Sequence, residues 1–232
     1  MPQPIAQLLS PAYLDERARL VGERAMGRAQ PGTLLAHRAP HGEGAETEIA
    51  GTSHFSIVDR RGDAVAMSTT VEDAFGSRIM VRGFLLNNEL TDFSLAPETD
   101  GRPIANRVEG GKRPRSSMTP VLVFDPDGRL RMVGGSPGGV SIINYVAKAL
   151  VATLDWKLDV QAAAALPNFG SRNGPTELER GTMYELLAPQ LRARGHEVVA
   201  IDFTSGLHLL ERVKGGWRGG ADPRREGVPK GD

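Results

Sequence analysis

From residue 52 onward, apolar residues occur in short alternating runs that come in pairs, and this pattern restricts the fold. Residues 53–59 alternate, Arg60-Arg61-Gly62-Asp63 is turn-like, and residues 64–71 continue as a partner strand. The same arrangement recurs around Asp125-Pro126-Asp127-Gly128, a strong turn signal. Because strand pairs precede the longer helical patterns, we predict a layered α+β fold rather than a doubly wound parallel sheet.

Several other segments have the periodicity of helices. Ser10-Pro11 is typical of a capped helix start, and we predict a helix from there to Gly27. The long apolar segment 140–154 follows Gly138-Gly139, and its length favours a buried helix. We also predict helices at 160–166 and 183–194, strands at 177–180, 196–203, 207–213 and around Trp217, an exposed linker at 28–51 and a surface loop at 95–115.

The composition excludes several classes of protein. In 232 residues, 40% are apolar and 24% charged, which describes a soluble globular protein with a substantial core. The 28 basic and 28 acidic residues balance, so we expect no nucleic-acid partner and no anionic-membrane partner. No cysteine is present, which excludes disulfides and thiolate catalysis. We expect no membrane span, because the apolar runs are short, and no signal peptide in this chain, because its first residues carry no basic or apolar region.

Thr52 stands where the linker meets the first strand. A hydroxyl nucleophile needs a base, and none of the five histidines lies in a context that marks a catalytic base. The other known solution is an N-terminal threonine whose own α-amine, with a pKa of about 8, accepts the proton. Gly51-Thr52 offers a site for the cut that this requires. The alternative is an ordinary threonine at a linker–strand junction.

Three polar clusters lie beside apolar segments and suggest ligand groups. Gly135-Ser136-Pro137-Gly138-Gly139 joins a strand to a helix, and its amides suit an oxyanion or a phosphate, or form only a tight turn. The second, acidic cluster is Glu72, Glu89 and Asp92 with Asn87 and Asn88, and it suits a ligand ammonium unless its members are solvated turn carboxylates. The third, donor cluster is Arg113 with Ser116 and Ser117, and it offers donors to a carboxylate unless its serines cap a turn.

These motifs, in this order, resemble the γ-glutamyltransferases (glutathione hydrolases) of the N-terminal nucleophile superfamily. The matching segments are Thr52-Ser53-His54-Phe55-Ser56, Leu85-Leu86-Asn87-Asn88-Glu89-Leu90-Thr91-Asp92-Phe93, Lys112-Arg113-Pro114 with Ser116-Ser117-Met118-Thr119-Pro120, Gly135-Ser136-Pro137-Gly138-Gly139, and the tail Gly220-Ala221-Asp222-Pro223-Arg224.

The resemblance implies the αββα sandwich of the N-terminal nucleophile hydrolases and a zymogen that cuts itself between Gly51 and Thr52. Residues 1–51 then resemble the end of a large subunit, a helix with a flexible linker, and residues 52–232 the small-subunit catalytic region. Most of the large subunit, including an arginine for the substrate carboxylate, lies outside these residues, so we expect an incomplete sandwich that needs a large-subunit polypeptide as partner.

By the same resemblance, Thr52 attacks a γ-glutamyl amide such as glutathione, and the acyl-enzyme passes to water or to an amino-acid or peptide acceptor. The implied roles are orientation of Thr52 for Thr70, oxyanion binding for Gly138 and Gly139, α-ammonium binding for Glu72, Glu89 and Asp92, and α-carboxylate binding for Ser116 and Ser117. No cofactor or metal is implied, and the family resemblance suggests a periplasmic or secreted location.

Two alternatives to a γ-glutamyl enzyme remain. One is a related acylase of the cephalosporin-acylase type on the same nucleophile architecture. The other is a non-catalytic remnant or subunit that acts only with a partner chain.

Overall fold

A computed structural model describes residues 4–34, 41–42, 44 and 51–231 of the chain. Five α-helices and thirteen β-strands lie within these residues. The helices are α1 (Ile5–Leu8), α2 (Pro11–Ala18), α3 (Ile142–Leu154), α4 (Val160–Ala165) and α5 (Ala188–Ala193). The strands are β1 (Thr52–Val58), β2 (Ala64–Thr70), β3 (Met80–Val81), β4 (Phe84–Leu85), β5 (Glu98–Thr99), β6 (Arg102–Pro103), β7 (Val121–Phe124), β8 (Leu130–Gly135), β9 (Phe169–Gly170), β10 (Thr176–Glu179), β11 (Val198–Ile201), β12 (His208–Val213) and β13 (Gly216–Ala221).

The two predicted hairpins are confirmed. β1 and β2 pair antiparallel from Thr52↔Thr70 to Val58↔Ala64, and the Asp59 side chain closes the turn by accepting the backbone N–H of Asp63. β7 and β8 form the second hairpin, to which β12 and β13 are added in the antiparallel order β13-β12-β8-β7. A smaller sheet, β11-β10-β9, and two short ladders, β3-β4 and β5-β6, complete the strand pairing in the described residues.

Three layers stack on one another. The β1–β2 hairpin packs on one face of the four-stranded sheet, where β1 contacts β8 and β12. Helices α3 and α4 pack on the opposite face, against β8, β12 and β13. Between helices and sheet lies an apolar core whose fully or almost fully buried members are Met132, Ile142, Tyr145, Val146, Ala149, Ala152, Val160, Ala163, Ala164, Leu207 and Leu209.

The outer face of the β1–β2 hairpin is apolar but exposed. Phe55 pairs with Met67 and Ile57 with Val65, so all four side chains point away from the four-stranded sheet. They remain 38–53% exposed. Large apolar side chains grouped on one sheet face are typical of a surface that another element covers.

A buried polar network fixes the C-terminal segment to the core. Asp222 accepts hydrogen bonds from Ser205 Oγ at 2.6 Å, from the Leu207 amide and from Arg224, whose guanidinium also binds Glu179. Asn168 donates to Ser205 and accepts from the buried Lys148 ammonium. Because burial and the Arg224 charge disfavour the ammonium, the pKa of Lys148 falls to about 8.

Two helix predictions are wrong in extent. The helix predicted to start at Ser10-Pro11 corresponds to α2, which ends at Ala18 rather than Gly27. No residue of it is buried, so no packed face extends it toward the glycine at position 22. The segment 183–194 is not one helix but a 3₁₀ turn, Met183–Leu187, followed by α5. Pro189 lacks a backbone N–H and interrupts a continuous α-helical ladder there.

The other predicted elements agree with the structure in type. The helix at 140–154 begins with a 3₁₀ turn, Gly139–Ser141, and continues as α3. The loop at 95–115 contains the short β5–β6 ladder. Residues 35–40, 43 and 45–50 of the predicted linker lie outside the described residues.

We expect Asp222→Asn to destabilise the fold by about 2–4 kcal/mol at pH 7, because it removes a buried charge that four donors satisfy. Burial raises the pKa of Asp222, but its hydrogen bonds to Ser205 and Arg224 outweigh this and leave the pKa below its ordinary value. Its contribution is therefore complete at neutral pH and is lost as the pH falls through that lowered pKa.

Urea unfolding at pH 7 and in acid measures this contribution. Asp202→Asn, at a side chain that is 84% exposed, serves as the control and should change stability little. Equal urea midpoints for the parent and Asp222→Asn at pH 7 would contradict the prediction.

Candidate active site

One pocket collects most of the polar residues that the sequence singles out. It lies where β1 begins and β2 ends, beside the acidic turn Glu89–Asp92, the segment 115–118 and the start of α3. Its described lining residues are Thr52, Thr70, Glu72, Glu89, Asp92, Arg115, Ser116, Ser117, Met118, Gly139, Val140 and Ile142.

The Gly51–Thr52 peptide bond lies at the open end of the β1–β2 hairpin, away from its turn. Thr70, the strand partner of Thr52, donates its hydroxyl to the Gly51 carbonyl at 2.7 Å and accepts the Glu72 amide at 2.8 Å. A Cβ on residue 51 would overlap the Glu72 carbonyl oxygen, so only glycine fits there without a backbone shift. In the uncut chain, therefore, Thr70 contacts the carbonyl of the bond that precedes Thr52.

Of the three pocket carboxylates, Glu72 is buried, and Glu89 and Asp92 are half-buried. Glu72 is only 7% exposed, and its backbone has φ of 77°, a left-handed conformation that is strained for a glutamate. Burial raises the pKa of Glu72, and so do the nearby charges of Asp92, Glu89 and Asp73. Burial and Asp92 likewise raise the pKa of Glu89. A solvated turn carboxylate is thus the wrong interpretation of Glu72.

The two asparagines are not among the described residues that line the pocket. Asn88 Oδ1 accepts the Asp73 amide at 3.0 Å, and Asn87 Oδ1 accepts the Glu89 amide at 3.0 Å. They hold the acidic turn in place, so the expectation that they touch an ammonium directly is not supported by this geometry.

The serines lie in a segment without regular secondary structure that lines the pocket. Ser116 Oγ accepts the Met118 amide at 3.2 Å, which leaves its hydroxyl proton for another acceptor. The structure brings Arg115 into the pocket lining rather than Arg113, which is exposed. The sequence analysis gave the donor role to Arg113 and none to Arg115. Its position directly before the two serines was the available signal, but which of two nearby arginines faces the pocket depends on the tertiary course of the segment.

The glycine loop adopts a conformation that only glycine takes readily. Gly138 has φ of 130° and Gly139 φ of 61°. Gly139 lines the pocket, whereas Gly138 packs under the Tyr145 ring, where a Cβ would lie 2.5 Å from Cε2. The buried Ser136 fixes the loop by accepting the Gly206 amide at 3.0 Å and donating to the Pro137 carbonyl at 2.7 Å.

His54 lies two residues after Thr52 on the same face of β1 and is a buried structural residue. Its Nε2 lies 3.1 Å from Ser56 Oγ, which itself donates to the His208 carbonyl, so Nε2 carries the proton. Its Nδ1 then accepts from Ser68 Oγ at 2.9 Å. Burial, with help from His208, lowers the pKa of His54 to about 4, so the ring is neutral at pH 7.

Comparison with known proteins places this site in context. The family model of gamma-glutamyltranspeptidase matches residues 1–231. The glutathione hydrolase proenzyme of Bacillus subtilis (strain 168) is 31% identical over 238 residues, which cover 97% of this chain and 39% of that protein. The chain thus spans about two fifths of the length of this curated relative.

Solved structures of related enzymes match the fold of this chain. The gamma-glutamyltranspeptidase of Pseudomonas nitroreducens matches with a TM-score of 0.67 and 30% identity, covering 77% of this chain and 98% of the other. The cephalosporin acylase of Bacillus halodurans gives a TM-score of 0.79 at 25% identity, covering 98% of this chain and 39% of the other.

The layered α+β architecture and these neighbours define an N-terminal nucleophile hydrolase fold, as the sequence predicted. The chain belongs to the gamma-glutamyltranspeptidase family, an enzyme family whose curated members include glutathione hydrolases. Within its described residues, no helix is both long and apolar enough to cross a membrane.

We expect Glu72→Gln to reduce the pH dependence of stability. A carboxyl whose pKa is raised in the folded state costs stability as the pH rises from the unfolded value of about 4.3 through the raised value, because its charged form is disfavoured there. Urea unfolding between pH 4 and pH 7 should show the variant gaining on the parent as the pH rises. Glu98→Gln, at an exposed position of β5, should follow the parent throughout. A constant difference between Glu72→Gln and the parent would refute this account of Glu72.

Proposed function

We propose that this chain is the nucleophile-bearing part of an enzyme that hydrolyses or transfers γ-glutamyl groups from glutathione and similar amides. The observation that carries the proposal is the composition of the pocket. Thr52, three carboxylates, two serines and a glycine of the helix-start loop line one cavity. An α-amino acid with an acyl side chain carries the complementary groups: an ammonium, a carboxylate and a carbonyl.

The proposed first step is cleavage of the chain before Thr52. Thr52 Oγ attacks the Gly51 carbonyl, whose oxygen is polarised by the hydrogen bond that the Thr70 hydroxyl donates to it, with 2.7 Å between the two oxygens. The C–Oγ bond forms, the C–N bond between Gly51 and Thr52 breaks, and the nitrogen takes the proton from Oγ, so the amide becomes an ester. Water then hydrolyses the ester. This leaves a carboxylate on Gly51 and a free α-amine on Thr52. Residues 1–51 become the end of the large subunit and residues 52–232 the small subunit.

In the proposed catalytic cycle the new α-amine takes the proton from Thr52 Oγ as that oxygen attacks the γ-glutamyl carbonyl. The Gly138 and Gly139 amides stabilise the oxyanion, and Thr70, released from Gly51, orients Thr52. The leaving amine departs with the proton that the Thr52 α-amine took up. Water, or an amino-acid or peptide acceptor, then attacks the ester of the acyl-enzyme and takes the γ-glutamyl group, which restores the Thr52 hydroxyl. Glu72, Glu89 and Asp92 hold the α-ammonium, and Ser116 and Ser117 hold the α-carboxylate. No cofactor takes part.

We expect Thr52→Ala to abolish both cutting and turnover, because it removes the only oxygen that performs either attack. Thr52→Ser should retain both at a reduced rate. Intact mass of the purified protein measures the cut, and release of 4-nitroaniline from L-γ-glutamyl-4-nitroanilide measures turnover.

The matched control for this prediction is Thr69→Ala, one residue from Thr70 on the exposed face of the same hairpin. It should cut and turn over like the parent. Turnover by Thr52→Ala would refute the mechanism, and an uncut parent chain would favour a non-catalytic remnant.

We also propose a large-subunit polypeptide as the partner, seated on the outer hairpin face of Phe55, Ile57, Val65 and Met67. Alone, the chain should expose this face, bind an apolar dye such as anilinonaphthalene sulfonate and self-associate with rising concentration. Ile57→Thr with Val65→Thr should lower both signals without lowering the unfolding midpoint. As a control, Leu95→Thr, at an 85% exposed residue away from the hairpin, should leave them unchanged. Equal dye binding by the parent and the double variant would contradict the proposed covering.

A second candidate is an acylase of the cephalosporin-acylase type, favoured by the structural match that covers 98% of this chain. Such an enzyme need not recognise an α-ammonium, so it would hydrolyse glutaryl-4-nitroanilide as well as the γ-glutamyl anilide. The buried carboxylate of Glu72 favours the γ-glutamyl substrate.

By family resemblance we further propose a periplasmic or secreted location, which fractionation of the producing cell tests.

A further inference from the structure

Lys148 is a buried ammonium that the proposed catalytic cycle does not use. It lies on α3, the helix that follows the glycine loop, and is 4% exposed. Its Nζ donates to the Leu166 carbonyl and to Asn168 Oδ1, both at 2.8 Å. Burial and the charge of Arg224 lower the pKa of Lys148 from 10.5 to about 8, so below that pH the charged form costs folding stability. Costly buried charges of this kind cluster at functional sites.

Hydrogen bonds with a single direction connect Lys148 to Asp222. Asn168 Nδ2 donates to Ser205 Oγ at 2.8 Å, and Ser205 Oγ donates to Asp222 Oδ2 at 2.6 Å. An ammonium can only donate and a carboxylate can only accept, so these two charged ends determine how the amide and the hydroxyl between them are oriented. If the ammonium is removed, the Asn168 amide is free to turn over, and Ser205 then donates to Asn168 instead of Asp222.

These bonds reach the segment that supports the glycine loop. Ser205 is followed by Gly206, whose amide donates to Ser136 Oγ at 3.0 Å. Gly206 also packs against the loop, because a Cβ on this residue would lie 2.8 Å from Pro137 Cγ. We therefore expect a rearrangement of Ser205 to be transmitted through these contacts to Gly139, the loop residue that lines the pocket.

We propose that Lys148 is a positioning residue that sets the position of the Gly139 amide from within the core. Lys148 is not among the described residues that line the pocket, and it acts through Asn168, Ser205 and Gly206. The consequence for catalysis rests on the proposed function, in which the Gly139 amide stabilises the oxyanion. The effect of Lys148 on the loop does not depend on that function.

Lys148→Met tests the inference, because methionine fills the space of the lysine chain without a donor or a charge. With L-γ-glutamyl-4-nitroanilide, kcat should fall about 10- to 100-fold, since a misplaced oxyanion donor costs up to as much as a lost one. KM should stay within about twofold, because the groups that bind the ground state are unchanged. Cutting before Thr52 should proceed as in the parent, because Thr70 polarises the Gly51 carbonyl in that step. Lys148→Gln, which keeps a donor without the charge, should lie between.

The matched control is Thr153→Val, at another buried side chain of α3. The Thr153 hydroxyl has no hydrogen-bond partner in the described part of the chain, so its removal should change neither kcat nor the loop. Urea unfolding at pH 7 detects a general loss of folding. The midpoint of Lys148→Met should stay close to that of the parent, because the Leu166 carbonyl keeps Arg224 as a donor at 3.1 Å.

Amide hydrogen exchange, followed by mass spectrometry, supplies a readout without turnover. Segments 134–141 and 204–208 should exchange faster in Lys148→Met than in the parent or in Thr153→Val. If exchange rises there but the parent turns over no anilide, the proposed function fails and the inference stands. If the parent turns over the anilide and Lys148→Met matches its kcat, the inference fails and the function stands. Unchanged exchange in both segments, or a joint loss of kcat, cutting and urea midpoint in Lys148→Met, overturns the inference.

Discussion

The close contact between His54 and Gly135 sets the distance between the two sheets. A Cβ on residue 135 would overlap the His54 ring, so glycine lets the β1–β2 hairpin approach the four-stranded sheet. The ring is neutral and satisfied by two serine hydroxyls, so no charge is buried at this junction. Because β1 begins with Thr52 and β8 ends at Gly135, the first residue of the glycine loop, this contact helps to set how far Thr52 lies from Gly139.

The C-terminal segment supports the same loop from the other side. Asp222 holds Ser205, and the next residue, Gly206, donates its amide to Ser136 inside the loop. The glycine loop is therefore fixed between a buried charge network and the hairpin junction. A buried carboxylate far along the sequence thus contributes to the geometry of the pocket, because its hydrogen bonds are costly to leave unmade in a low-dielectric interior.

Local signals predicted the hairpins, the family resemblance grouped the residues of the candidate pocket, and both failed where distant contacts decide. The turn residues after Asp59 and Asp125 act within a few positions, so both hairpins were predictable. The choice of Arg115 over Arg113 was not, because Asn106, nine residues away, sets the course of that segment. The length of α2 was overestimated because distant contacts are missing there. Its sequence permits a longer helix, but none of its residues is buried, so packing adds nothing to propensity.

The left-handed backbone of Glu72 has a consequence for how this chain can change. Glycine or asparagine at position 72 would relax the backbone, by about 1 kcal/mol or more for such a conformation. Both replacements also remove the carboxylate from the pocket. Selection for heat resistance alone would therefore favour variants at this position that have lost a pocket carboxylate, so residue 72 links the stability of the fold to the charge of the pocket. A library screened only for folding would enrich variants that lack this buried carboxylate.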